Sequence, residues 1–196
     1  MAQVGGPERL VGVLSLQGAF AAHQRALEAV GASTRQVRKP ADLDGIDALV
    51  MPGGESTTMS RLLVTSGLFD DVKGLISDGL PVFGTCAGLI LLATEVLDGR
   101  ADQLSFGALD VTVQRNGYGR QIDSFEADLD VAEFDQPFHA VFIRAPKVVA
   151  VGANVEVLAE YDGVPVVARQ GHVMVASFHP ELTADARLHA RFLQEV

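Results

Sequence analysis

Pro81-Val-Phe-Gly-Thr-Cys-Ala-Gly-Leu-Ile-Leu-Leu-Ala93 is the stretch on which the reading of this chain turns. Pro81 to Gly84 has the length and apolarity of a buried strand, and Leu89 to Val96 reads as a helix. Between them, Gly84 and Gly88 stand two residues on either side of Cys86. That spacing is a strand-to-helix elbow with cysteine in the place of serine. A sharp turn lifts the side chain out of the sheet, and only small neighbours let the backbone bend so tightly. The start of the following helix contributes a partial positive charge, which favours a thiolate. The bland alternative is a small, buried, structural cysteine in a glycine-flanked turn.

Outward from this elbow, the first half alternates strands and helices. Leu10 to Leu16, Thr34 to Val37 and Ala48 to Met51 read as strands. Phe20 to Val30, Met59 to Ser66 and Phe69 to Asp78 read as helices. Such alternation predicts a parallel sheet with helices on both faces. The second half is different: Ala108–Gln114, Ala140–Ala145, Val148–Val151, Val155–Tyr161, Val164–Arg169 and Val173–Phe178 are closely spaced strand candidates. Asp162-Gly163 between two apolar runs is a hairpin signal. An antiparallel meander is therefore expected to extend the sheet, and Ala184 to Glu195 to close the chain as a helix with Leu188, Phe192 and Leu193 on one face. The expected fold is α/β: a single domain over residues 1–196, with a mixed, mostly parallel sheet flanked by helices and an added antiparallel strand region.

Composition limits the function. Apolar residues make up 48% of the 196 residues, enough for a sizeable core. No apolar run is long enough to span a bilayer, and Met1 to Pro7 carries no secretory pattern. The net charge of −10 argues against a nucleic-acid surface, which calls for a basic patch. With a single cysteine, neither an internal disulfide nor a multi-cysteine metal site is possible. Together these features point to a cytoplasmic protein without membrane or nucleic-acid partners.

A thiol nucleophile needs a base, and the base needs an orienting group. Of five histidines, His23 and His189 fall on predicted helices, and His139 and His172 in turns beside strands. Solvated or hydrogen-bonded structural roles suit all four. His179 differs, because it follows a strand and precedes Pro180 and Glu181. Glu181 is placed to accept one imidazole N–H and leave the other ring nitrogen for Cys86; the alternative is a surface His-Pro-Glu turn. The strand's carboxyl end is where ligands bind in open α/β sheets. The segment Met51-Pro-Gly-Gly-Glu-Ser-Thr-Thr58 also follows a strand. Its glycines allow an amide N–H to face the cleft and, with the N–H of Ala87, to form an oxyanion hole. Glu55 and Ser56 are candidates for the polar end of a substrate, unless Ser56 is simply a helix N-cap.

These segments resemble the class I glutamine amidotransferases, whose triad is cysteine, histidine and glutamate. Cys86, His179 and Glu181 match it in order and setting. LSLQGAFAAH, MPGGESTT, VFGTCAGLILLA, QRNGYGRQ, VFIRAP and SFHPEL follow, in order, the pattern of the free-standing glutaminase subunits of pyridoxal 5′-phosphate synthases. They span Leu14 to Leu182. Gly117-Tyr118 stands where that family often has a small residue and Phe. The resemblance implies that Gly54, Glu55, Ser56, Arg115, Ile143 and Arg144 bind L-glutamine, and that Gly54 and Ala87 stabilise the oxyanion. It places Gln17 where the family couples its active site to the partner; a strand-end hydrogen bond is the plainer alternative. No metal or organic cofactor is implied. The implied partner is a barrel-shaped synthase subunit in a hetero-oligomer, which receives the ammonia and switches on the glutaminase. Rival readings are the glutaminase of another synthase, such as one of histidine biosynthesis, a cysteine redox sensor or chaperone of the related superfamily, and a non-catalytic scaffold.

Overall fold

The computed structural model describes residues 9–115, 117 and 124–196. Asn116 and residues 118–121 of the QRNGYGRQ motif lie outside the described residues, as does the Met1–Pro7 segment.

Four apolar runs make the centre of the sheet: β1 (Leu10–Leu14), β3 (Ala48–Met51), β4 (Val82–Thr85) and β12 (Val173–Ala176). Nearly all their residues are buried, the pattern of parallel strands covered on both faces. With β2 (Ser33–Val37), β10 (Glu156–Tyr161) and β11 (Val164–Gln170) they form a seven-stranded sheet in the order β10-β11-β12-β4-β3-β1-β2. The pairs from β2 through β12 are parallel, and β11 and β10 add antiparallel strands at one edge. Side chains alternate between the faces. Leu49, Met51, Val82 and Val175 join one apolar cluster, whereas Ala48, Val50, Phe83 and Met174 join the other. Helices α2 (Ser56–Thr65) and α3 (Leu68–Ser77) cover the first face with Met59, Leu63, Leu68 and Val72. Helices α1 (Phe20–Ala29) and α5 (Arg187–Leu193) cover the second with Leu27, Leu188 and Phe192. Among the described residues no helix is long and apolar enough to cross a membrane.

The Asp162-Gly163 turn joins β10 to β11, with φ of 49° and 70° and Tyr161 paired to Val164. Two consecutive positive φ values are what a two-residue type I′ hairpin requires.

Three expectations need correction. The helix after Cys86 is α4, Ala87–Leu92, and Ala93–Val96 leaves it as a strand, β5. All six α4 residues are buried, so periodicity carries no sign of where it ends. β5 instead pairs in parallel with β6 (Leu109–Gln114), and the Thr94 hydroxyl donates to the Leu109 carbonyl at 2.8 Å. Second, the added strands do not all extend the main sheet. β5, β6 and β9 (Lys147–Val151) form a separate three-stranded sheet, and β7 (Ser124–Leu129) pairs with β8 (Phe138–Ile143). β7 was not expected, because its acidic residues alternate outward and read as solvated surface. Third, the closing helix is shorter than Ala184–Glu195, because residues 180–182 form a tight turn and α5 begins only at Arg187.

Candidate active site

The elbow forms as its residue types demand. Cys86, between β4 and α4, has φ 49° and ψ −101°, a region costly for a side chain. Its N–H donates to the Ala176 carbonyl at 2.9 Å, so the neighbouring β12 strand holds the strained residue. A Cβ on Gly84 would lie 2.8 Å from the Gly88 carbonyl carbon, and one on Gly88 would lie 2.2 Å from the Met51 carbonyl oxygen. Any side chain there would push α4 off the sheet. Cys86 is buried, with 6% of its surface exposed.

His179 follows β12 by three residues, and its N–H donates to the Val141 carbonyl of β8 at 2.9 Å. Pro180 begins the short turn that swings Glu181 back, and His179 Nδ1 meets Glu181 Oε1 at 2.8 Å. Nε2 is left for the neighbouring Cys86 side chain. Burial disfavours a charged imidazole, but the partners Cys86 and Glu181 outweigh it and raise His179 to about 10. Burial likewise works against the Glu181 carboxylate, yet the hydrogen bond from His179 and the His23 imidazole 3.2 Å from its other oxygen hold it well below the usual range.

The loop after β3 closes over this pair. A Cβ on Gly53 would stand 2.3 Å from His179 Cε1 and 3.2 Å from Cys86 Cβ, so the loop backbone packs directly on both. The Gly53 carbonyl faces Gly18, whose added Cβ would come within 1.8 Å of the oxygen. In a trans peptide this turns the Gly54 N–H the opposite way. Glu55, rather than Ser56, caps α2: its carboxylate accepts from Thr57 N (3.2 Å), Thr58 N (2.7 Å) and Thr58 Oγ1 (2.6 Å). Arg115 Nη2 adds a fourth donor at 2.9 Å. Burial opposes ionisation, but these donors bring Glu55 down to about 2. Gln17 Oε1 accepts from Glu55 N at 3.1 Å and ties the loop to the end of β1.

A cleft of about 410 Å³ opens above Cys86. Gly54, Glu55, Ser56, Cys86, Arg115, Ile143, Arg144 and His179 line it, together with Gln17, Ala19, Ile90 and Leu182. Glu181 sits behind His179 rather than in the wall, and Ala87 is the first residue of α4. Arg144 takes φ 43° just past the end of β8. Among the described residues, Ser56 Oγ and Arg115 Nε are buried without a hydrogen-bond partner. Unmatched polar atoms in a cleft wall are groups a polar ligand can satisfy. The volume falls within the range of small-molecule sites, about 300–1,000 Å³.

Sequence reasoning overlooked what lies behind Glu181. His23 and His189 are fully buried, and so is Thr85. His23 Nε2 lies 3.2 Å from Glu181 Oε2 and 3.1 Å from Thr85 Oγ1, and His23 Nδ1 lies 2.9 Å from His189 Nε2. The available signal was helical spacing: His23 shares a face with Leu27, and His189 with Phe192. His139, between Asp128 and Glu126, and His172, against the Ile76 carbonyl, do have the structural roles expected.

The chain matches the SNO glutamine amidotransferase family over residues 13–196. It is 55% identical over 188 residues to "Pyridoxal 5'-phosphate synthase subunit PdxT" of Corynebacterium jeikeium (strain K411), covering 95% of this chain and 96% of that protein. The protein of the same name from Thermosipho africanus (strain TCF52B) is 53% identical over 186 residues, 95% of this chain and 98% of its own. A crystal structure of a glutamine amidotransferase matches with a TM-score of 0.89 at 49% identity, covering 94% of this chain and 97% of that one. With sequence kinship running from β1 to the last helix, and a fold that carries it, the chain belongs to the SNO glutamine amidotransferase family.

Proposed function

We propose that this chain is the glutaminase subunit of a pyridoxal 5′-phosphate synthase. It hydrolyses L-glutamine to L-glutamate and ammonia, and the ammonia passes to a barrel-shaped synthase subunit within a hetero-oligomer. One amidotransferase unit occupies residues 1–196. The observation that carries the reading is the meeting of Cys86 and His179 in the wall of one cleft, with Glu181 hydrogen-bonded to His179 from behind. The relatives named for that synthase supply its setting.

In this reading the Cys86 thiolate attacks the side-chain amide carbon of glutamine. The N–H groups of Gly54 and Ala87 receive the oxyanion. The intermediate collapses with cleavage of the C–N bond, and His179 hands its proton to the departing ammonia. Neutral His179 then takes a proton from water, the hydroxide attacks the glutamyl thioester, and C–S cleavage restores the thiolate and releases glutamate. Glu181 keeps the imidazole oriented and stabilises its charged form. Arg115 and Arg144 suit the substrate α-carboxylate, Ser56 Oγ is free to contact its polar end, and Ile143 packs beside it. An α-ammonium reaches Glu55 by displacing a donor, and Arg115 is the one that does not come from α2.

Glutamate release from glutamine by the purified chain, with and without the synthase subunit, tests this directly. Release that needs the synthase and disappears in Cys86→Ala is the expected result. No release with a synthase that demonstrably binds the chain would overturn the reading.

A further inference from the structure

We propose that His23 is a positioning residue of this active site: its Nε2, hydrogen-bonded to Thr85 and in close polar contact with the outer oxygen of Glu181, steadies that carboxylate, and His189 fixes the tautomer that allows it. The proposal rests on the glutaminase reading above and adds a part to it.

Glu181 has two carboxylate oxygens and meets a histidine with each. Oε1 faces His179 Nδ1 at 2.8 Å, and Oε2 faces His23 Nε2 at 3.2 Å. The side chains of Glu181 and His23 are wholly withdrawn from solvent. The contact lies outside hydrogen-bond geometry, and Oε2 is buried with no hydrogen-bond partner, so the His23 ring is the polar group set against this side of the buried charge and bears on the charge state of Glu181. The tautomer follows from the contacts. Were the His23 proton on Nδ1, the Nε2 lone pair would oppose Oε2. In the neutral ring the proton therefore sits on Nε2, directed to Thr85 Oγ1 at 3.1 Å with Glu181 Oε2 beside it. His23 Nδ1 then accepts, and His189 Nε2, 2.9 Å away, donates. This leaves His189 Nδ1 without a proton, and it is indeed buried with no partner. A neutral His189 also fits its burial, which drives it down to about 3. Phe83 sets its ring edgewise to both imidazoles, with centroids at 6.5 and 5.8 Å, and leaves them little room to turn.

Glu181 is thus flanked by imidazoles on both sides, hydrogen-bonded to His179 and in close polar contact with His23. His23 touches neither substrate nor thiol. It acts by holding the carboxylate where it can orient and charge-stabilise His179, and through Thr85 it abuts the residue before Cys86.

The test uses the chain assembled with its synthase subunit, with His23→Leu, His23→Gln and His23→Asn. Glutamine places an amide N–H near the Nε2 position, whereas asparagine reaches only the Nδ1 position. The second readout is iodoacetamide alkylation of the free subunit, in which the label reports on Cys86 alone because the chain has no other cysteine. His23→Leu and His23→Asn are expected to lower kcat by about tenfold to a hundredfold, the scale of lost outer-shell partners, with KM little changed. Both should slow Cys86 alkylation at neutral pH, and His23→Gln should recover much of each loss. The proposal fails if a folded Leu or Asn variant keeps the wild-type kcat and alkylation rate. It fails equally if Gln and Asn variants fall together in step with their thermal midpoints, which would mark a packing role only. A wild-type complex that releases no glutamate overturns the glutaminase reading instead, and the alkylation comparison still decides the part played by His23.

Discussion

At the scale of single residues, Gly53 has no room for a side chain. Its missing Cβ is the space occupied by the His179 ring, 2.3 Å from Cε1 and 2.9 Å from Nδ1. Gly53→Ala must displace the imidazole or the loop. Shifts of about an ångström at a reacting group cost roughly a hundredfold in rate. The expected outcome is a loss of that order in synthase-dependent glutamate release, with circular dichroism and thermal midpoint near wild type. Gly54→Ala meets the flexible Met59 Sδ at 3.2 Å and should be milder. The glycine pair was legible in the sequence as a loop able to turn an amide toward a cleft. That its first member must be bare because of a histidine 126 positions later was not, since no local pattern encodes the approach of residues 53, 86 and 179. Histidines 23 and 189 lie on helices and are hydrogen-bonded, as expected, but their partners were not legible, because helical spacing marks a face as buried, not what that face meets.

At the scale of elements, the support for His179 is aromatic. Phe178, fully buried at the end of β12, packs against Phe138 and Phe142 of β8 with ring centroids 5.8 and 5.2 Å apart. β8 returns the favour through the Val141 carbonyl, which accepts the His179 N–H. Phe178→Ala should cost about 3–5 kcal/mol of stability, as for other large buried aromatics, read from the shift of a urea unfolding curve. The strands and helices around the elbow were readable because composition and period changed at each boundary. α4 was not bounded correctly, because six consecutive buried residues show no period and only the pairing of β5 with β6 ends the helix. β7 escaped notice because its outward residues are acidic and its partner β8 supplies the reason for its extension.

At the scale of the whole molecule, the buried histidine network links folding to pH. His189 is held neutral, with its folded value near 3 against 6.5 for the free side chain. Between those values the unfolded chain binds the extra proton, so stability is full above pH 6.5 and declines as pH falls toward 3. From pH 6.5 down to 4.5, above the ordinary range of the carboxylates, this histidine should account for part of the loss. Urea midpoints measured across that window should fall in the wild type and fall less in His189→Gln. His179 acts on the alkaline side: its raised value contributes stability that is complete below 6.5 and lost as pH climbs toward 10. The parallel order of the main sheet followed from the strand-helix alternation. The division of the later strands into three groups did not, because it depends on which edge each strand reaches rather than on its own residues.

The contact between His23 of α1 and His189 of α5 joins side chains 166 residues apart and has a consequence for how the chain is made. A ribosome delivers the nucleophile, the imidazole and the glutamate before it delivers α5. Until that helix emerges and docks, His23 Nδ1 lacks its partner His189, and the second face of the sheet lacks Leu188 and Phe192. The cysteine thus waits in a site whose outer frame is still missing, and reaches its finished setting only once α5 has docked.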